Sequence, residues 1–99
     1  MALVIAEPEM LAAAAGDFHD INSALRAAST AAAGPTTTVA PAGADLVSVL
    51  TAAQFAAHAR LYQAVCVQAG AVQDQLAATL GLSAGSYAVT EAANTAAFS

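Results

Sequence analysis

The longest uninterrupted stretch of the chain, Leu46 to Leu80, contains neither proline nor a cluster of charges, and its apolar residues recur with the period of an α-helix. Phe55, His58, Tyr62, Val65, Ala69, Val72 and Leu76 follow one another at steps of three and four. Leu46, Leu50, Ala53, Ala57, Leu61 and Ala64 form a second seam beside them. At 100° per residue the two seams together take up more than half of the helix circumference, and only Arg60, Gln63, Gln73 and Asp74 gather on the remaining side. One neighbouring helix cannot cover both seams, and the spacing leaves open which of them it would face.

A chain of 99 residues, 59% of them hydrophobic, holds one small domain and cannot bury both seams by itself. The pattern therefore implies a second protein. Two arginines, no lysine, seven acidic residues and a net charge of −5 leave nothing to neutralise a phosphate backbone, which excludes nucleic acid as a ligand. A single cysteine, Cys66, excludes an internal disulfide and a cysteine-rich metal site. No stretch of about 18 apolar residues runs free of Gln, His, Arg or Asp, so a membrane-spanning helix is not expected. Nor is a conventional cleaved signal peptide, since no basic segment precedes Leu3, Val4 and Ile5.

Taken in order, Met1 to Glu7 is an apolar lead expected to lie extended on the first helix. That helix is expected over residues 8–32. Pro8 suits the first helical position because its missing N–H would have no helical partner there, and Glu9 follows where the positive helix end favours a carboxylate. Leu11, Ala14, Phe18, Ile21, Leu25, Ala28 and Ala32 make one seam, with His19, Asp20, Ser23, Arg26 and Thr30 on the other side. Gly34 and Pro35 are read as the stop, and residues 33–45 as an aperiodic connection. Asp45 restarts the chain as an N-cap able to accept the N–H of Val47 or Ser48, opening a second helix over 46–80. The fold expected is all-α: an antiparallel two-helix hairpin that completes a four-helix bundle with a partner protein. Gly81 and Gly85 bracket the expected end of the second helix, leaving residues 81–99 as a flexible tail. Were that tail helical, Tyr87, Glu91, Asn94 and Phe98 would share one face.

Catalytic chemistry finds little support. Gly81-Leu82-Ser83-Ala84-Gly85 has the spelling of the GxSxG nucleophile elbow, but that elbow needs a strand before it and a histidine after it, whereas here a helix precedes and His19 and His58 both lie upstream. His58, within the apolar seam four residues before Tyr62, reads as an interface histidine rather than a metal ligand, and His19 beside Asp20 as part of a solvated face. Cys66 reads as a small buried or semi-buried apolar side chain, with a reactive thiol as the lesser alternative. Glu7 and Glu9 serve helix-end electrostatics, and Arg26 and Arg60 are solvated or paired across an interface. No catalytic residue, metal site or cofactor is assigned.

The Pro8-Glu9 pair, the turn Pro41-Ala42-Gly43-Ala44-Asp45 leading into Leu46-Val47-Ser48, and the YxxxD/E pattern of Tyr87-Ala88-Val89-Thr90-Glu91 occur in that order in an alanine-rich chain. In these features, over essentially its whole length, the sequence resembles the PE family of mycobacterial proteins. The resemblance implies a non-enzymatic hairpin that pairs 1:1 with a PPE-family protein and is exported by a type VII (ESX) secretion system, the dedicated chaperone acting through the PPE partner. Tyr87 and Glu91 would be the export signal and Pro8 and Glu9 the family motif. The partner would be met by Leu11, Phe18, Ile21, Leu25, Leu50, Phe55, Leu61, Tyr62, Val65, Val72 and Leu76. The protein would be cytoplasmic before export and secreted or at the cell envelope afterwards, with membrane association only then. The competing expectation is a surface-active or pore-associated envelope protein whose exposed seam meets lipid. A hydrolase built on Ser83 stands third.

Overall fold

The computed structural model describes residues 6–98. Among them are two helices, α1 (Pro8–Thr37) and α2 (Leu46–Ala97), and no strand. The all-α hairpin expected from the sequence is the fold observed. Of the apolar lead Met1 to Glu7, residues 1–5 lie outside the described residues, and Ala6 and Glu7 precede the first helix without helical structure.

Both helix starts follow from local chemistry. The Glu7 carbonyl accepts the N–H groups of Met10 (3.1 Å) and Leu11 (3.3 Å), so Pro8 takes the first helical position and Glu9 lies in the first turn. At α2 the Asp45 carboxylate accepts the Ser48 N–H at 2.9 Å through Oδ1 and the Ser48 hydroxyl at 2.7 Å through Oδ2, while its carbonyl accepts the Val49 N–H at 3.1 Å. Of the two N–H groups expected as its partners, the cap uses that of Ser48.

Both helix ends differ from expectation. α1 does not stop at residue 32 but runs through Gly34 and Pro35 to Thr37. Pro35 sits in the last turn, where its missing N–H forfeits one helical bond, and three threonine hydroxyls hold the turn by bonding back four residues: Thr36 to the Ala32 carbonyl (2.6 Å), Thr37 to Ala33 (2.6 Å) and Thr38 to Gly34 (2.7 Å). α2 does not stop at Leu80 but continues through Gly81 and Gly85 to Ala97, so the expected flexible tail is helix. Glycine ends a helix when it turns left-handed, and no glycine among the described residues has a positive φ. Within a helix it is only a weak former, and Ala84, buried between the two, anchors the segment.

Contacts divide the chain into two compact units, each made from a piece of α1 and a piece of α2. The unit of residues 22–71 contains the connection. Here the Asn22 amide donates to the Gly70 carbonyl at 3.3 Å. The Ser29 hydroxyl donates to Gln63 Oε1 at 3.1 Å, and Gln63 Nε2 donates back to the Ser29 carbonyl at 3.0 Å. Seven residues forward along α1 match seven backward along α2, which is antiparallel register. The α2 residues that face inward in this unit are Ala52, Ala56, Ala59, Gln63, Cys66 and Gly70, all buried or half-buried.

This corrects the assignment of faces. Neither large apolar seam of α2 is the inner one: Phe55 is 61% exposed and Leu61 70%, whereas Ala56 is 8%. Gln63, placed by the sequence on a residual polar side, lies at the hairpin contact. Small residues let two helices approach closely, and a short polar pair satisfies itself between them. In the unit that joins α1 up to Ile21 with α2 from Val72, the inward residues are Leu11, Ala15 and Phe18 of α1, and Ala77, Leu80, Ser83 and Ala84 of α2. Gln73 and Asp74 of the supposed polar side are half-buried there as well, which leaves Arg60 as its one exposed member.

Candidate functional site

Turning the small residues inward leaves the large ones outside. Of the eleven residues read as partner-binding, Leu11 and Phe18 are half-buried; Ile21, Leu25, Leu50, Phe55, Leu61, Tyr62, Val65, Val72 and Leu76 are exposed. The spacing of α1 explains part of this. Leu11 and Phe18 share their inward side with Ala15 and Asn22, and Ile21 falls one position aside, whereas Leu25, seven residues beyond Phe18, is 52% exposed.

Within residues 22–71 the exposed stripes of the two helices meet. Ala32, Pro35 and Thr36 of α1 and Val39 of the connection line one wall of a groove of about 290 Å³, and Phe55, His58, Ala59, Tyr62 and Gln63 of α2 line the other. The α1 spacing expected to stop at Ala32 continues through Pro35 to Val39, and these three residues lie alongside Phe55, His58 and Tyr62. Leu50 extends that face, bordering Thr51, Gln54, Phe55 and His58. No Asp, Glu, Lys or Arg lines the groove.

The titratable groups here show no arrangement for chemistry. The Tyr62 phenol is held above its ordinary value by a hydrogen bond with the Cys66 thiol one turn on, then by the charge interaction between the two groups and slight desolvation. Cys66 is half-buried, in keeping with its reading as a small semi-buried side chain. No three His, Cys, Asp or Glu side chains converge on a metal site among the described residues. Ser83 lies inside α2, so the strand-to-helix turn of a nucleophile elbow is not formed at Gly81–Gly85.

Because α2 runs to Ala97, the condition set on the C-terminal stripe is met, and Tyr87, Glu91, Asn94 and Phe98 fall on one side. Helical bonding persists there, with the Thr95 hydroxyl on the Glu91 carbonyl at 2.9 Å and the Phe98 N–H on the Asn94 carbonyl at 3.1 Å. This stripe prolongs that of Ala77, Leu80 and Ala84 at the same spacing. Glu91 is half-buried, Tyr87 is 49% exposed and Phe98 91%. The sequence reading missed Asn22, Ser29 and Gly70 as inward residues. The available signal was the repeat Ala52, Ala56, Ala59, Gln63, Cys66, Gly70, as regular as either large seam.

No helix among the described residues is long and apolar enough to cross a membrane. Comparison with known proteins adds the family. The PE family model matches residues 4–94. The PE family protein PE13 of Mycobacterium tuberculosis is 57% identical over 99 residues, covering all of both chains. PE8 of the same organism is 49% identical over 91% of this chain, which spans 33% of PE8. PE cleavage protein A, also from M. tuberculosis, is 49% identical over 93% of this chain, which spans 16% of that protein. On a family match over nearly its whole length and a full-length relative, the chain belongs to the PE family.

Proposed function

We propose that this chain is a non-enzymatic interaction module that pairs 1:1 with a PPE-family protein to complete a four-helix bundle, and that the pair leaves the cell by a type VII (ESX) secretion system. One observation carries the reading: within residues 22–71 the hairpin keeps alanine, glycine and polar side chains for itself, and it presents most of its large apolar ones outward. A lone soluble protein gains nothing from that inversion, whereas a partner helix laid over Leu25, Phe55, Tyr62 and Val65 would bury them. Tyr87 and Glu91, one turn apart on α2, are the export signal in this reading, with the secretion machinery as reader and the chaperone reached through the PPE partner. The protein resides in the cytoplasm before export and outside the cell or at its envelope afterwards.

The test is co-expression with candidate PPE proteins, followed by measurement of complex mass and of both chains in lysate and medium. A soluble 1:1 complex supports the pairing. Tyr87→Ala and Glu91→Ala are expected to leave the complex intact and remove both chains from the medium. Exchanging Thr90 and Glu91, which keeps composition but breaks the four-residue spacing, is expected to fail equally. Normal export of these variants overturns the signal assignment, and loss of the complex reassigns the residues to folding.

A further inference from the structure

Asn22 is 2% exposed, a polar residue in a seam otherwise built largely of alanine. Burying an amide there is unfavourable unless it is hydrogen-bonded, and its Nδ2 meets the Gly70 carbonyl across the hairpin. A helical carbonyl has a second lone pair beyond its intrahelical bond and can accept the amide. Gly70 is the sole glycine between Leu46 and Leu80. Arg26, one turn beyond Asn22, uses the same gap: a Cβ built on Gly70 would stand 3.1 Å from Arg26 Nε and 3.3 Å from Nη2. The missing side chain at position 70 thus leaves room for the Arg26 guanidinium beside the carbonyl that accepts from Asn22.

We infer that Asn22, Arg26 and Gly70 form a register lock holding α1 and α2 at one offset along the hairpin. The alanines alone discriminate only weakly, since Ala52, Ala56 and Ala59 present equivalent surfaces and a slide by one heptad exchanges Ala52 for Ala59. Such a slide would move the Arg26 guanidinium from Gly70 onto a residue that carries a β-carbon and would part the Ser29–Gln63 pair. A single buried polar residue fixing the register of packed helices is the best-attested use of such groups. The lock keeps Ala32, Pro35 and Val39 level with Phe55, His58 and Tyr62, so the open face has one shape.

Two measurements on the full chain, as it purifies with or without a partner, test this. The first places spin labels at Ser23→Cys and Gln68→Cys in a Cys66→Ser background. One narrow distance is expected for the otherwise unaltered chain, and a second population or marked broadening for Asn22→Leu, a heptad slide being about 10 Å. An unchanged narrow distance in Asn22→Leu means that the register is set without Asn22, and overturns the lock. The second is a double-mutant cycle. Helix propensity alone makes Gly70→Ala raise Tm; the lock requires it to lower Tm by several degrees while Arg26 is present and to raise it in the Arg26→Ala background. The same rise in both backgrounds overturns the role of Arg26.

Discussion

At Asp45 one carboxylate satisfies two donors from Ser48 and so defines where α2 begins. The bonds favour the ionised form, and they hold the Asp45 carboxyl below its ordinary value, the Ser48 N–H contributing most and the Ser48 hydroxyl next. A carboxyl with a lowered folded-state pKa contributes stability that is present in full above the unfolded value of about 3.9 and is lost as pH falls through the lower folded value. Asp45→Ala should therefore lower the melting temperature at pH 7, and the gap from the parent should close as the solution is acidified below pH 4. Asp45→Asn, which keeps an acceptor, should retain most of the cap without that acid dependence. Thermal melts across pH 2–7 check both, and a gap that persists at the lowest pH would remove the cap from the account.

At the scale of the helix, starts were legible in the sequence and stops were not. Pro8 and Asp45 act through their own covalent chemistry, which is the same in any surroundings. Gly34, Pro35, Gly81 and Gly85 end a helix only if the chain turns away there, and that depends on what the following residues can do. Thr36, Thr37 and Thr38 back-bond onto the last carbonyls of α1, and Ala84 is anchored by burial, so in both places the helix goes on. Neither Gly81 nor Gly85 has an atom within 4 Å of where a Cβ would stand. Gly81→Ala and Gly85→Ala should thus each stabilise α2 by up to about 1 kcal/mol through helix propensity alone. Circular dichroism melts should show the gain. A loss of stability would mean that these glycines serve a bend or a contact. The same substitutions probe export: if Tyr87 and Glu91 are read from a helix, stiffening the turns before them should leave secretion intact.

For the molecule as a whole, the period of the apolar pattern was legible but its direction was not. Spacing identified the stripes of Leu25, Phe55, Tyr62 and Val65 correctly as stripes, yet the reading that large side chains pack against the neighbouring helix holds only where a chain is its own sole partner. In this hairpin the alanines at 52, 56 and 59 pack inward and the large residues stay in solvent. A large apolar side chain left in water forgoes about 1.5–3 kcal/mol of burial, and a domain's whole stability is about 5–15 kcal/mol. Expressed alone, the protein should consequently be aggregated or loosely folded, and a sharp two-state melt from an isolated monomer would count against the partner reading. Two substitutions separate inside from outside. Ala56→Leu forces three extra carbons into a position 8% exposed and should destabilise the hairpin by about 1–3 kcal/mol whether or not a partner is present. Leu61→Ala removes a side chain 70% exposed, so helix content and melting of the hairpin should hardly change, while affinity for a partner that covers it should fall by about 2 kcal/mol or more. Paired melting and titration measurements decide: equal damage to folding by both variants would place Leu61 inside after all, and no effect of Leu61→Ala on affinity would confine the docking face to the Phe55, His58 and Tyr62 side of α2.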